Sequence, residues 1–125
     1  MLKIKEDSIN EIIKKYDKLI ELNQNDDYAY FKRAAAKDDL ACFKYYNHYT
    51  YSLNEDRDKI VYAITIAEFY KDYEGDYKAA LHDYSKVIKL NSKYADTAYY
   101  HRGIIRTRLR VQGADLGLKS HTMNL

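Results

Sequence analysis

Sixteen residues near the start of the chain, SINEIIKKYDKLIELN (Ser8 to Asn23), return 68 residues later as DYKAALHDYSKVIKLN (Asp76 to Asn91). Tyr16, Lys18, Ile20, Leu22 and Asn23 fall on Tyr84, Lys86, Ile88, Leu90 and Asn91. A second pair, AYFKRAAAKDDL (Ala29 to Leu40) and AYYHRGIIRTRL (Ala98 to Leu109), recurs at nearly the same spacing. Between them Ala63, Lys71 and Asp72 lie 34 residues after Ala29, Lys37 and Asp38, so the underlying period is about 34. A period of this size predicts a helical repeat array, because one unit cannot bury its own apolar face and must stack on its neighbours. Arrays of this kind bind other molecules more often than they perform chemistry.

Composition supports helices joined by short turns. The 125 residues fit one domain and include no proline and four glycines, Gly75, Gly103, Gly113 and Gly117. Fifteen tyrosines suit a thin array with many half-buried positions, since the ring packs while the hydroxyl stays wet. A net charge of +2, with both signs interspersed, demands neither nucleic acid nor an acidic membrane. Cys42 has no partner for an intramolecular disulfide, which is compatible with a reducing compartment. No stretch is apolar for long enough to span a membrane, so the expectation is a soluble, cytoplasmic chain.

Apolar periodicity predicts six helices. The first is capped at Asp7 or Ser8 and carries Ile9, Ile12, Ile13, Tyr16, Leu19 and Ile20 on one face. The others run over about 27–40, 42–54, 57–73, 76–90 and 95–109. Glu74-Gly75-Asp76 is expected to break the fourth from the fifth, with Gly75 closing one helix and Asp76 capping the next.

The segment from Ala67 to Gly103 resembles the tetratricopeptide repeat, a helix-turn-helix unit of about 34 residues. The resemblance rests on Gly75-Asp76-Tyr77, Ala80, Tyr84, Leu90-Asn91, Ala98-Tyr99-Tyr100 and Arg102-Gly103, and extends over roughly residues 8 to 110. It implies an all-α, right-handed superhelical array of antiparallel helix pairs, an α-solenoid. The units would be an incomplete leading repeat (about 8–26), a divergent repeat (27–56), the best match (57–94) and an incomplete trailing repeat (95–125). Ala80 and Gly103 would be small where helices cross, and Tyr84 would fill the adjacent hole. The chain departs from the pattern where Gln24 and Ser92 replace the usual proline, at Glu68, and at Tyr45, Tyr46 and Tyr49.

No catalytic signature is present, neither a phosphate loop nor HExxH, GxSxG or CxxC, so the chain is not expected to be an enzyme. No cofactor or metal is expected. Cys42 and His48 lack further ligands at suitable spacing, His82 and His101 read as surface positions, and Asp38 and Asp39 as a solvated helix end.

The resemblance implies a protein-protein interaction module whose concave groove binds a peptide or partner helix. Its candidate lining is Tyr28, Phe31 and Lys32, then Tyr62, Thr65, Phe69 and Tyr73, then Tyr100, His101 and Arg108. Two alternatives stay open. Arg102, Arg106 and Arg110 recur at i, i+4 and i+8 beside Tyr99 and Tyr100, a face for RNA or another anion, although Arg102 is expected to pair with Asp83. The chain can also be an architectural segment of a longer protein. Ile104, Ile105 and Leu109 predict bare apolar surface on the last helix, and with it self-association through the C-terminal end.

Overall fold

The computed structural model describes the backbone of residues 2–52 and 59–115, and side chains at 5–47, 64, 67–68 and 70–110. The described residues form an all-helical structure: α1 (Leu2–Leu22), α2 (Asp27–Ser52), α3 (Lys59–Lys89) and α4 (Ala95–Asp115). Each helix packs on its neighbour in sequence. Arg33 and Lys44 of α2 meet Asp83 and Asp76 of α3, so these two run antiparallel. Arg108 and His101 of α4 meet Cys42 and Asp38 of α2, so α4 runs parallel to α2 and closes a three-helix group with α3 between them.

Among the described residues, four long helices stand where six were expected. No break follows Leu40: Leu40 and Ala41 are buried on an uninterrupted α2, where the local sequence holds neither glycine, proline nor a cap. The expected break at Glu74-Gly75-Asp76 is likewise absent, and Gly75 is an exposed position inside α3. Glycine inside a helix costs about 1 kcal/mol relative to alanine. Contacts on both sides of Gly75 offset that cost. Tyr70, Tyr73, Tyr77 and Ala80 form a buried row across it. Lys44 holds Asp72 at 3.2 Å and Asp76 at 2.7 Å, and Lys78 pairs with Glu74 at 2.7 Å. At the other end of the chain α1 begins at Leu2, so Asp7 and Ser8 lie within the helix rather than capping it.

Two hairpins carry the sequence repeat. In the first, Asn23 turns the chain with its side-chain oxygen accepting from Asn25, and Asp26 caps α2 by accepting from the Ala29 amide at 3.0 Å. In the second, Asn91 takes a left-handed φ of 53°, Ser92 donates back to Val87 and Asn91 to Ile88, the paired bonds of a Schellman motif. The two turns meet where the Ser92 hydroxyl donates to Asp27 at 2.6 Å, holding that carboxyl below its ordinary value.

The main core joins Tyr30, Ala34 and Ala41 of α2 to Tyr77, Ala80, Tyr84 and Val87 of α3 and to Ala98, Ile105 and Leu109 of α4. Ala80 and Tyr84 take the closely packed places expected of them. Gly103 does not: it is exposed, and a β-carbon there would meet nothing within 4 Å. Ile105 and Leu109 are fully buried, correcting the expectation of bare surface, and Ile104 is half-buried. Ile105 and Leu109 join the core shared with α2 and α3.

Candidate functional site

Two grooves run along the hairpins, and one of them is full. The groove between α3 and α4 receives α2. At its centre Asp83, fully buried, accepts from Arg33 Nε and Nη2 at 2.8 Å each and from Lys37 Nζ at 3.0 Å. Arg33 Nη1 reaches Asp17 of α1 at 2.8 Å, so two acids and two bases balance across three helices. The bonds to Asp83 first, then those to Asp17, raise the Arg33 pKa and fix its charge.

Further along, Arg108 donates to the Tyr77 hydroxyl at 2.7 Å and to Cys42 Sγ at 2.9 Å. Cys42 Sγ donates to Asp38 Oδ1 at 3.5 Å, which leaves the Tyr77 hydroxyl, 3.3 Å away, to donate to sulfur. Burial pushes the thiol pKa up, so Cys42 is a packed, protonated group rather than a nucleophile. Burial also raises the carboxyls of Asp38 and Asp39, the first against the Cys42 bond and the charges of His101 and Arg108. Both acids therefore lie mid-helix rather than at a helix end: Asp38 is half-buried beside His101 of α4, whereas Asp39 is exposed at the rim of the other groove, between α1 and α2. His101 stacks on Tyr84 with ring centroids 5.6 Å apart, and Phe31 stacks on Tyr94 at 4.9 Å.

The groove between α1 and α2 is open, with a volume of about 360 Å³. Ile9, Ile12 and Tyr16 wall it on the α1 side, Ala35 and Ala36 on the α2 side. Lys15, Lys32 and Asp39 charge its rim. Ile12 is 46 % exposed, a large apolar side chain lying along open surface.

The ten groove residues expected from sequence do not form one surface. Lys32 borders the open groove and lies 5.8 Å over the ring of Tyr28, which packs against Tyr16 and Tyr94. Phe31 is covered by Tyr94 and Tyr84. Tyr73 is a core residue, set edge-on to Tyr45, Tyr70 and Tyr77. His101 and Arg108 belong to the filled groove, and Tyr100 is 67 % exposed on α4. Tyr62, Thr65 and Phe69 lie outside the described side chains, as does His48. Arg102 does not pair with Asp83, which Arg33 and Lys37 occupy; it donates to Ser85 at 3.2 Å and lies 5.0 Å over Tyr99. Arg106 and Arg110 are exposed. His82 is a surface side chain with Nδ1 3.8 Å from Asp83.

Sequence reasoning missed α1 as a wall. The signal was available in the repeat itself, because Ile9, Ile12, Lys15 and Tyr16 occupy the register of Tyr77, Ala80, Asp83 and Tyr84. Among the described residues no helix is long and apolar enough to cross a membrane, and no three histidine, cysteine or acidic side chains converge as a metal site. Comparison with known protein families, curated proteins and solved structures finds no match.

Proposed function

We propose that this chain is a protein-protein interaction module that takes a peptide or partner helix between α1 and α2. The open groove carries the reading: apolar walls with charges of both signs at the rim suit a folded or folding segment better than a small metabolite. Stacking of each helix on the next supports an open, solenoid-like array similar to tetratricopeptide repeats, although two of its helices run straight through expected turns. A cytoplasmic setting fits the lone, half-buried Cys42 thiol. The test is a photo-crosslinking side chain placed at position 12 in the native cell. Crosslinking to a protein, lost on Lys32→Glu with the fold retained, is the expected result; crosslinking to nothing would oppose the reading.

A second reading is favoured by one observation, the exposed Arg106 and Arg110 one and two turns beyond Arg102. Binding of RNA through this face would weaken steeply as salt rises and would fail in the double variant Arg106→Glu, Arg110→Glu. The groove reading predicts that this variant leaves partner binding unchanged.

A further inference from the structure

The open and the filled groove are the same surface, built twice. Every residue that lines the α1/α2 groove has a counterpart in the α3/α4 hairpin by the sequence repeat. Ile9, Ile12, Lys15 and Tyr16 stand where Tyr77, Ala80, Asp83 and Tyr84 stand; Lys32, Ala35, Ala36 and Asp39 stand where His101, Ile104, Ile105 and Arg108 stand. Burial and side-chain bonding follow the same register. Tyr16 and Tyr84 are both buried, as are Ala29 and Ala98, Ala36 and Ile105, Leu40 and Leu109. Arg33 donates to Asp17 as Arg102 donates to Ser85, and these are matching pairs in the repeat.

The occupant of the filled groove is therefore a template for the occupant of the open one. The filled groove holds a helix antiparallel to α3 and parallel to α4. That helix presents Phe31, Ala34 and Ala41 to the core, Arg33 and Lys37 to Asp83, Asp38 to His101, and Cys42 to Arg108. In the open groove two of the charges are reversed: Lys15 replaces Asp83, and Asp39 replaces Arg108. Lys32 keeps the basic character of His101.

We propose, resting on the reading of the α1/α2 groove as a binding site, that it takes an amphipathic helix of a partner protein with a defined charge order. The helix runs antiparallel to α1. It carries Asp or Glu at positions i and i+4 against Lys15, an acid at i+5 against Lys32, a small residue at i+1, and Lys or Arg at i+9 against Asp39. The same charges exclude a second copy of this chain. The face of α4 that matches the inserting face of α2 is exposed at Tyr99, Tyr100, Gly103, Arg106, Thr107 and Arg110. It is shaped to extend the stack, but Arg102 and Arg106 would meet Lys15 instead of an acid. Like charges brought together at a desolvated contact oppose docking and give the groove its selectivity.

Two labelled synthetic peptides test this. One spans residues 27–45 unchanged; the other carries Arg33→Glu, Lys37→Glu and Cys42→Lys. Fluorescence anisotropy with the full chain should show the altered peptide binding at least tenfold tighter than the unchanged one. Lys15→Glu should reverse that order, and Ile12→Glu should remove binding of both, each variant keeping the helical circular dichroism of the parent. Equal binding, or an order that Lys15→Glu leaves intact, would overturn the charge order while the groove stands. Failure of both peptides to bind the folded chain would overturn the groove reading itself.

Discussion

The two hairpins share a sequence register and differ in what lies on them. On α3, the face of Ala80, Asp83 and Val87 is fully buried beneath α2. On α1, the same face shows Ile12 and Lys15 exposed and Leu19 only half-buried. One covered position holds alanine, which lets a neighbour approach closely, and another holds an acid that two cations neutralise. The uncovered positions hold lysine, whose head stays in water, and isoleucine, an apolar side chain left on open surface. The difference teaches that a repeated helix pair is specified by its inner face, whereas its outer face records whether another helix of the same chain sits there.

Substitutions at matching positions can break this comparison. The largest effect is expected at Asp83. Replacing it with alanine takes the acid from half-buried Lys37 and leaves half-buried Arg33 with Asp17 alone, a loss of about 3–5 kcal/mol. Lys15→Ala, at the matching place on α1, should change stability by no more than about 0.5 kcal/mol. Denaturant unfolding of both variants measures the contrast, and equal losses would erase it. Next is Ala80, fully buried in the core that α3 shares with α2 and α4. Ala80→Leu should overpack that core by about 1–3 kcal/mol. Ile12→Ala, on the open face, should cost less, and a larger loss there would mean that Ile12 is packed in solution.

Much of this arrangement was legible. The absence of proline and the 3.6-residue stripes gave helices, and the matched Asn23 and Asn91 marked the two turns that exist. Ala80 and Tyr84 fell in the core because the repeat register shows which face is inward. The turns that do not exist were illegible for a physical reason. Gly75 is a local signal worth about 1 kcal/mol, and it is outweighed by tyrosine packing and ion pairs with α2 that only the assembled fold supplies. Arg102 was assigned the wrong acid for a related reason: competition for Asp83 is decided by α2, which lies 46 to 50 residues away in sequence. The open groove was hidden because its lining looked like an ordinary apolar stripe on α1.

Continuity of α3 gives a sharper test of moderate size. A β-carbon at Gly75 meets nothing within 4 Å. Gly75→Ala should therefore stabilise the chain by about 0.5–1 kcal/mol, read as a rise in melting temperature. A helix break at this position, with glycine in a left-handed conformation, would instead make the substitution destabilising.

The smallest effect separates two neighbouring acids on α2. Burial raises the Asp38 carboxyl above its ordinary 3.8, so in the folded chain the ionised form is the costly one. The contribution of that group to stability is fullest below the unfolded value and is lost as pH rises through the folded one. Asp38→Asn should raise the melting temperature at neutral pH, and the gain should vanish as the pH falls below 3.8. Asp39, exposed at the open groove and raised in the same direction, should show a weaker version. A larger gain at Asp39 would mean that the open groove is the drier of the two.

The most direct measurement concerns self-assembly. If the two grooves are one surface with reversed charge, Lys15→Asp restores the acid of the filled groove and makes it complementary to Arg102 and Arg106 on α4 of another copy. Such a contact is head-to-tail and does not close. Sedimentation equilibrium should then show the average mass of Lys15→Asp climbing continuously with concentration, an increase cancelled by adding Arg102→Glu and Arg106→Glu, while the parent chain shows no such growth. A parent chain that grows open-ended in the same way, or a Lys15→Asp variant indistinguishable from it, would contradict the account.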